Sequence, residues 1–381
     1  MLPDIDDELA RRIDARVEQA VAAHLDQHHR PHDHDDRYAP RVHDHGDPDP
    51  GPAPSPEPPP DPYPEPAPTP ADRNVLGIDL AALPRSGPAY ERVRALAAQS
   101  PSIRYGDING GGGMSLLAKA LMGDKAGVLA TVRAAKASYT PGINSLGIGR
   151  TMATTFIALN LVGAHEEDAW VAQVLDDNAS AGTYPNFGPL KRSQLKGNNH
   201  GSAADCSRVA GLLHLGRRSE LEARDIPIIR TRLGEHGLTV DGRPIEFNAP
   251  GDATLDEHGH VIVVGPVGYT FEGKDADGLL MEEQRRSAPV PNCGNYNWGG
   301  SGQHLLYTWL LSVAGYPATT YADSAARRIF AALKRLGCTP SGDDQWQGAL
   351  VNRLFDLDYP ESVGDGKTLG LTDFWVAATR G

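Results

Sequence analysis

A polar turn ahead of an apolar helix holds the residues best suited to chemistry in this sequence. The turn runs from Lys196 as Lys-Gly-Asn-Asn-His-Gly-Ser, and its last residue, Ser202, is a residue type that commonly caps a helix N-terminus. Asn198, Asn199 and His200 would then lie at a helix N-terminus, where free N–H groups and the helix dipole favour an anion. A plain polar turn is the alternative, because Asn and Gly are ordinary turn residues.

Guanidinium groups and a tyrosine occur close together further along the chain. Arg285 and Arg286 end the segment Asp-Gly-Leu-Leu-Met-Glu-Glu-Gln-Arg-Arg, and Tyr296 and Trp298 follow within Asn-Cys-Gly-Asn-Tyr-Asn-Trp. Arginine suits bidentate binding of a carboxylate. The alternative interpretation is a surface arginine pair and a packed tyrosine.

The order of these segments resembles that of the alginate-lyase-like helical polysaccharide lyases, which are relatives of the chondroitin lyases. The resemblance covers residues 72–381. Further matching segments are Ser86-Gly-Pro-Ala-Tyr, Asp107 with Leu116-Leu-Ala-Lys-Ala-Leu, and Gly366-Lys-Thr-Leu-Gly-Leu-Thr-Asp-Phe-Trp. The chain departs from the family pattern where Gly201-Ser-Ala-Ala replaces an aromatic residue, and where the interval between Arg286 and Tyr296 is long.

This resemblance implies an α/α toroid, that is, an incomplete helical barrel, which cleaves a uronic-acid polymer by β-elimination without a cofactor. Asn199 and Arg286 would neutralise the substrate carboxylate and stabilise the enolate. His200, expected to have a pKa near neutrality, would take the C5 proton. Tyr296 would protonate the leaving oxygen or act as both base and acid. The expected substrate-binding residues are Asn198, Arg285, Lys196 and Trp298. The alternative is a glycan-binding groove without cleavage.

Helical patterns that would position these residues dominate residues 72–381, with Gly, Pro and Asn clusters between them. The predicted helices span 88–98, 114–122, 125–137, 149–163, 166–177, 202–215, 219–235, 301–315, 322–336 and 343–356. Short turns between them predict stacked antiparallel helix pairs. Residues 238–247 and 260–264 are predicted to be strands. The sequence therefore predicts a mainly α domain with a small β insertion.

Residues 1–46 are predicted to form an N-terminal helical stalk. Apolar residues recur every four positions along residues 4–27, as Ile5, Leu9, Ile13, Val17, Val21 and Leu25. A lone helix of this length is marginal in water, so we expect self-association through residues 1–45, most simply as a homotrimer. The alternative is a helix that docks on another protein.

Two His-x-His pairs, His32/His34 and His43/His45, follow that helix. Around a threefold axis each pair would supply six imidazoles, which suits an octahedral transition-metal site. A solvated tract without metal is the alternative. The segment that begins at His32, His-Asp-His-Asp-Asp-Arg-Tyr, resembles the His-x-His-Asp-x-Arg-Tyr segments of tailed-phage fibre proteins.

Residues 47–71 are predicted to be a linker, because 13 of the 23 residues from Pro48 to Pro70 are proline. Such a spacer extends over roughly 70 Å. The stalk, the linker and the helical domain of residues 72–381, here called the head, together predict a phage tail-fibre or minor tail protein. It would assemble with other tail proteins in the host cytoplasm and act on an acidic glycan at the host cell surface. A non-catalytic receptor-binding or structural tail protein and a free bacterial lyase are the alternatives.

Composition excludes several other classes. The net charge of −13 argues against a nucleic-acid partner. No apolar run is long enough for membrane insertion, and the acidic start does not resemble a signal peptide. The three cysteines are widely spaced, so three buried thiols are expected and one bridge is the alternative.

Overall fold

Helices make up most of the chain in a computed structural model of the protein. The described residues are 74–101, 103–105, 112–139, 145–177, 190–248, 253–287, 289–361, 366 and 369–379. Of these, 59% are helical, which confirms the mainly α prediction. The predicted stalk, histidine pairs and proline-rich linker lie outside the described residues.

The helices lie close to the segments that the sequence predicted. They are α1 (Pro88–Ala97), α2 (Gly113–Leu121), α3 (Lys125–Lys136), α4 (Ser145–Leu161), α5 (Asp168–Asp176), α6 (Leu190–Ser193), α7 (Asn199–His214), α8 (Arg218–Glu220), α9 (Ile226–Leu233), α10 (Met281–Arg285), α11 (Asn295–Val313), α12 (Tyr321–Arg335), α13 (Gln347–Phe355) and α14 (Thr372–Trp375). A π turn, Leu221–Asp225, joins α8 to α9. Each predicted helix is present, although α11 begins at Asn295 rather than at residue 301. The short helices α6, α10 and α14 were not predicted.

Seven of the helices contact one another in a closed succession. α1 packs on α2, α2 on α4, α4 on α7, α7 on α11, α11 on α13 and α13 on α14. α14 then returns to α1, where an ion pair joins Arg92 to Asp373. α4 and α7 approach closely at Gly149, where a Cβ would lie 2.6 Å from that of Ala203. The long helix α7 therefore packs between α4 and α11, and α11 packs between α7 and α13.

The β insertion is smaller than the sequence pattern suggested. The predicted strand over residues 238–247 is instead a tight hairpin of β1 (Thr239–Val240) and β2 (Arg243–Pro244). Asp241 and Gly242 at its tip have φ angles of 51° and 72°. Asp-Gly is a strong signal for this type of turn, and it cuts the alternating pattern in two.

A second hairpin was not predicted. It consists of β3 (Thr270–Phe271) and β4 (Lys274–Asp275), joined by a Glu-Gly turn. The predicted strand over residues 260–264 contributes only two isolated bridges, one from Val261 to Leu255 and one from Val264 to Leu280. The β insertion therefore consists of two short hairpins and an irregular segment that reaches Leu280, just before α10, and not of one continuous sheet.

The cysteines correct one expectation. Cys293 and Cys338 form a disulfide with a Cα–Cα distance of 5.4 Å, whereas Cys206 is a buried free thiol. The bridge fastens the segment before α11 to the end of α12. The two residues are 45 positions apart, so no local spacing in the sequence signals the pair.

None of the helices in the described part of the chain combines the length and the apolar character that a membrane-spanning segment requires.

Candidate functional site

The Asn-Asn-His segment lies at the N-terminus of α7, as the sequence predicted. Asn198 is the capping residue, because it has an extended backbone and its Oδ1 accepts a hydrogen bond from the His200 N–H at 3.1 Å. The prediction that Ser202 is the cap was wrong. Ser202 lies inside the helix, where its Oγ donates to Gln303 Oε1 at 2.6 Å. Asn199 and His200 thus occupy the first turn.

Glu283, on α10, contacts the first turn of α7. Its Oε1 accepts the backbone N–H of Asn199 at 2.8 Å, and the residue is only 2% exposed. Burial raises the pKa of Glu283 to about 7, although Arg286 and the Asn199 N–H both act to lower it. The site therefore contains a carboxyl group that exchanges its proton close to neutral pH.

Arg286 connects this carboxyl group to Tyr296. Its Nε lies 4.0 Å from Glu283 Oε2 and 3.5 Å from an oxygen of Glu282. Its guanidinium carbon lies 5.1 Å from the centre of the Tyr296 ring, a cation–π arrangement. Tyr296 is 47% exposed on the first turn of α11. Contacts thus run from Asn199 through Glu283 and Arg286 to Tyr296.

His200 is buried among cations. Burial, together with the positive charges of Lys196, Arg286 and Arg150, lowers its pKa to about 3. The expectation of a near-neutral pKa for His200 was therefore wrong, because the sequence does not reveal how many cations surround the ring. The pKa of Lys196 is lowered to about 8, chiefly by its own burial. A neutral imidazole beside three cationic side chains favours an anionic ligand.

The residues expected to bind substrate have different surroundings. Asn198 is occupied as the helix cap, and Lys196 belongs to the cationic surroundings of His200. Arg285 forms an ion pair with Glu282 at 3.2 Å. Trp298 is only 3% exposed and packs against Phe330 and Tyr359 in the hydrophobic core. Its placement does not support the expectation that Trp298 contacts substrate.

Three residues of this site were missed in the sequence. Glu283 lies three positions before Arg286, and this spacing of about one helical turn could have indicated that the two act together. Arg150, on α4, has its pKa lowered by burial, against the opposing charges of Asp344, Asp343 and Glu283. Nothing in the local pattern marks Arg150 or the buried His304, because their role depends on how distant helices pack.

A small cavity lies behind the first turn of α7. Asn199, Glu283 and His304 line it, and its volume of about 10 Å³ is roughly the room of one water molecule. Asn199 Oδ1, Glu283 Oε2 and His304 Nε2 are buried and have no hydrogen-bond partner. Burial lowers the pKa of His304 to about 3, so its ring is neutral. A bound water with two to four polar neighbours would satisfy these groups.

Arg232 supports the turn from behind. Its Nε donates to Asp205 Oδ2 at 2.6 Å, its Nη1 donates to the Lys196 carbonyl at 2.7 Å, and the Arg232 and Asp205 side chains are 0% exposed. A Cβ at Gly201 would lie 2.0 Å from the Lys196 carbonyl oxygen and 2.6 Å from Arg232 Nη2. The close approach therefore requires glycine after the Asn-Asn-His segment.

Further buried ion pairs continue this support along α7. Arg208 binds Asp225 through Nε at 2.6 Å and Nη2 at 2.9 Å, and both side chains are 0% exposed. Gln194 donates to Asp205 at 3.0 Å and to Asp225 at 2.7 Å, so the pairs form one network. Such a network holds its members in one arrangement, because breaking a buried pair is strongly destabilising.

Two groups of histidine and carboxylate side chains could hold a metal ion among the described residues. They are His165, Asp168 and His214, and His236, Asp256 and His260. Neither group contains a residue of the Asn199 site. The metal ligands predicted at His32, His34, His43 and His45 lie outside the described residues.

Comparisons with protein-family models, curated proteins and solved structures returned no match.

Proposed function

We propose that residues 72–381 bind an acidic cell-surface polysaccharide and cleave it by β-elimination at a uronate. The observation that carries this proposal is the continuous set of contacts from Asn199 through Glu283 and Arg286 to Tyr296. A neutral His200 and the cations around it adjoin this set. The arrangement offers one place where a carboxylate and a transferable proton would meet.

A fold assignment is part of the proposal. The succession of contacts from α1 to α14 and back to α1 supports an α/α toroid, with the Asn199 site where the N-termini of α7 and α11 approach α10. In such a ring, helix N-termini from different turns can point at one ligand. The partial positive charge of the helix dipole at such ends adds to the attraction for an anion, although the Asn199 and His200 N–H groups of α7 are already bonded to Glu283 and Asn198.

The first requirement of the reaction is to neutralise the substrate carboxylate. The C5 proton of a uronate is weakly acidic while the neighbouring carboxylate keeps its full charge, so opposing charges must lower the barrier. Arg286, Arg150 and Lys196 supply positive charge, and the side-chain amide of Asn199 supplies N–H donors. A uronate bound among these groups would offset the cations and raise the pKa of His200 from its value in the free protein.

Proton transfer then involves His200 and Tyr296. The C5–H bond breaks and its electron pair forms the C4–C5 double bond as the C4–O bond breaks. His200 accepts the C5 proton, and the Tyr296 hydroxyl gives its proton to the leaving oxygen. Where both atoms lie on one face of the sugar, Tyr296 would serve as base and then as acid. Neither route needs a metal or an organic cofactor.

The place of this head in a larger particle is a proposal drawn from residues 1–71. The His-x-His-Asp-x-Arg-Tyr resemblance and the proline-rich segment support a phage tail protein, tethered through a trimeric stalk and acting at the host surface. A transition metal at His32, His34, His43 and His45 would strengthen that stalk. Other tail proteins would be the assembly partners.

The test uses the full-length protein and a panel of acidic polysaccharides. Cleavage creates an unsaturated uronate whose ultraviolet absorbance is followed over time. We expect Y296F to lower the rate about 100- to 10,000-fold, because one proton transfer loses its donor. Tyr90, a tyrosine on α1 outside the site, provides the matched control, and Y90F should retain the wild-type rate. A polymer whose carboxyl groups have been reduced should remain intact.

A second candidate function is glycan binding without cleavage. Two observations favour it: His200 has a pKa of about 3 in the free protein, and the adjoining cavity holds roughly one water molecule. Retained binding of a polysaccharide by calorimetry, with no increase in absorbance across the whole panel, would establish this function and refute the proposed lyase. Binding that R286A abolishes would still place the glycan at this site.

A further inference from the structure

A second group of chemically active side chains lies at the other end of α7. His165 is in the 3-10 turn His165–Glu167, Asp168 is the first residue of α5, and His214 is the last residue of α7. One ligand atom from each lies within 4.8 Å of the others. At about 1.5 Å per residue, roughly 22 Å of helix separates this group from Asn199.

His214 is buried beside the carboxylate of Asp168. Its side chain is 0% exposed, and neither of its ring nitrogens has a hydrogen-bond partner. Its Nε2 lies 3.0 Å from Asp168 Oδ1, a buried atom that likewise has no hydrogen-bond partner. The two atoms are at ion-pair distance, so the ring nitrogen of His214 that is left without any polar contact is Nδ1.

Two separations within this group are close to those around a bound metal ion, although the short contacts of the two histidines are to different oxygens of Asp168. Ligand atoms at about 2.05 Å from a tetrahedral ion lie roughly 3.3 Å apart, and imidazole centres on such an ion lie about 5.2 Å apart. Here His165 Nδ1 lies 3.3 Å from Asp168 Oδ2, and the ring centres of His165 and His214 are 5.5 Å apart.

We propose that His165, Asp168 and His214 bind a divalent transition-metal ion, for which zinc is the natural probe. Two imidazoles and a carboxylate are a ligand set that zinc accepts, and solvent would complete the coordination on the exposed side of His165. The ion would fasten the start of α5 to the end of α7. It would therefore stabilise the helical domain without taking part in chemistry at Asn199.

The second histidine group serves as a control rather than as a second proposal. The Oδ1 atom of Asp256 already accepts the backbone N–H groups of His258 and His260, at 2.9 and 2.8 Å. A tight turn therefore accounts for its position. Both histidines of this group, His236 and His260, are about half exposed, so the group lacks a buried imidazole such as His214.

The experiment measures the thermal unfolding of the full-length protein by circular dichroism after a chelator has been removed by dialysis. At a zinc concentration 100 times the Kd, we expect the melting temperature of the wild type to rise by roughly 5 °C. H165A should abolish the rise. Because the His165 side chain is exposed, misfolding of this variant would not explain the loss. D168N should do the same, whereas H260A should keep the rise.

The histidines between His24 and His45 offer zinc a second place to bind, and every variant retains them. A second measurement therefore counts the zinc ions per chain. Elemental analysis after gel filtration should find one zinc ion fewer per chain in H165A and D168N than in the wild type and H260A. The assignment is overturned by a wild-type melting temperature that zinc leaves unchanged. It is equally overturned by a rise that survives both substitutions at the site, or by one that H260A also removes.

Discussion

Replacing Glu283 with glutamine tests the electrostatic description of the Asn199 site. Burial raises the pKa of Glu283 from 4.5 to about 7, so folding favours the protonated acid. The wild type therefore keeps the full stability associated with this group below pH 4.5 and loses it as the pH rises towards 7. The glutamine side chain of E283Q would still accept the Asn199 N–H but could not ionise.

The expected magnitude follows from proton linkage. A shift of one pKa unit corresponds to about 1.4 kcal/mol. With folded and unfolded pKa values of about 7 and 4.5, the wild type should lose roughly 2–3 kcal/mol of unfolding free energy between pH 5 and pH 8 through this group. The stability of E283Q relative to the wild type should therefore rise by the same amount over this interval.

Urea unfolding, followed by circular dichroism at several pH values between 5 and 8, measures this difference. With an m value of about 3 kcal/mol/M, the midpoint of E283Q should gain about 0.8 M on the wild type as the pH rises. Glu282 provides the matched control, because E282Q also removes a carboxylate beside Arg286 and leaves Glu283 in place. E282Q should keep most of the wild-type pH dependence. Parallel pH curves for E283Q and the wild type would refute the reasoning.

Three further contacts are tested by substitution. R232M leaves a buried carboxylate unpaired and should cost about 3–5 kcal/mol in urea unfolding, whereas the more exposed ion pair lost in R230M should cost about 1 kcal/mol or less. G201A forces a methyl group against a carbonyl oxygen and should cost about 1–3 kcal/mol, with a matching loss of uronate release. Replacing both Cys293 and Cys338 with serine opens a loop of 45 residues and should cost about 4 kcal/mol under non-reducing conditions. An unchanged urea midpoint in any of these variants except R230M would contradict the contact concerned.

The sequence was informative where a single local pattern determines the structure. Helical patterns predicted the long helices, because such a pattern depends only on residues within the same segment. The N-terminal position of Asn199 and His200 was predictable for the same reason, since Asn and Ser are residue types that satisfy free N–H groups. The cap was assigned too late in the chain, because Asn198 and Ser202 both suit that role.

Features that depend on distant segments could not be read from the sequence. The pKa values of Glu283 and His200 depend on burial between α7, α10 and α11, and on Arg150 from a fourth helix. The Cys293–Cys338 bridge also depends on the packing of separate helices. The β hairpins were misassigned for a different reason: two adjoining strands of two residues each are too short to produce a recognisable alternation.

The closed succession of helices has a consequence for how the chain could be rearranged. Ile78 and Thr379 form a β-bridge, and the Asp79 N–H donates to the Ala378 carbonyl at 2.9 Å. The first and last described segments therefore lie side by side. A short linker between them, with new ends opened at the exposed Asp-Gly tip of the first hairpin, would give a circular permutant with every helix contact intact. Such a permutant should keep the helical circular dichroism of the parent, because joining ends that already lie side by side displaces none of the helices.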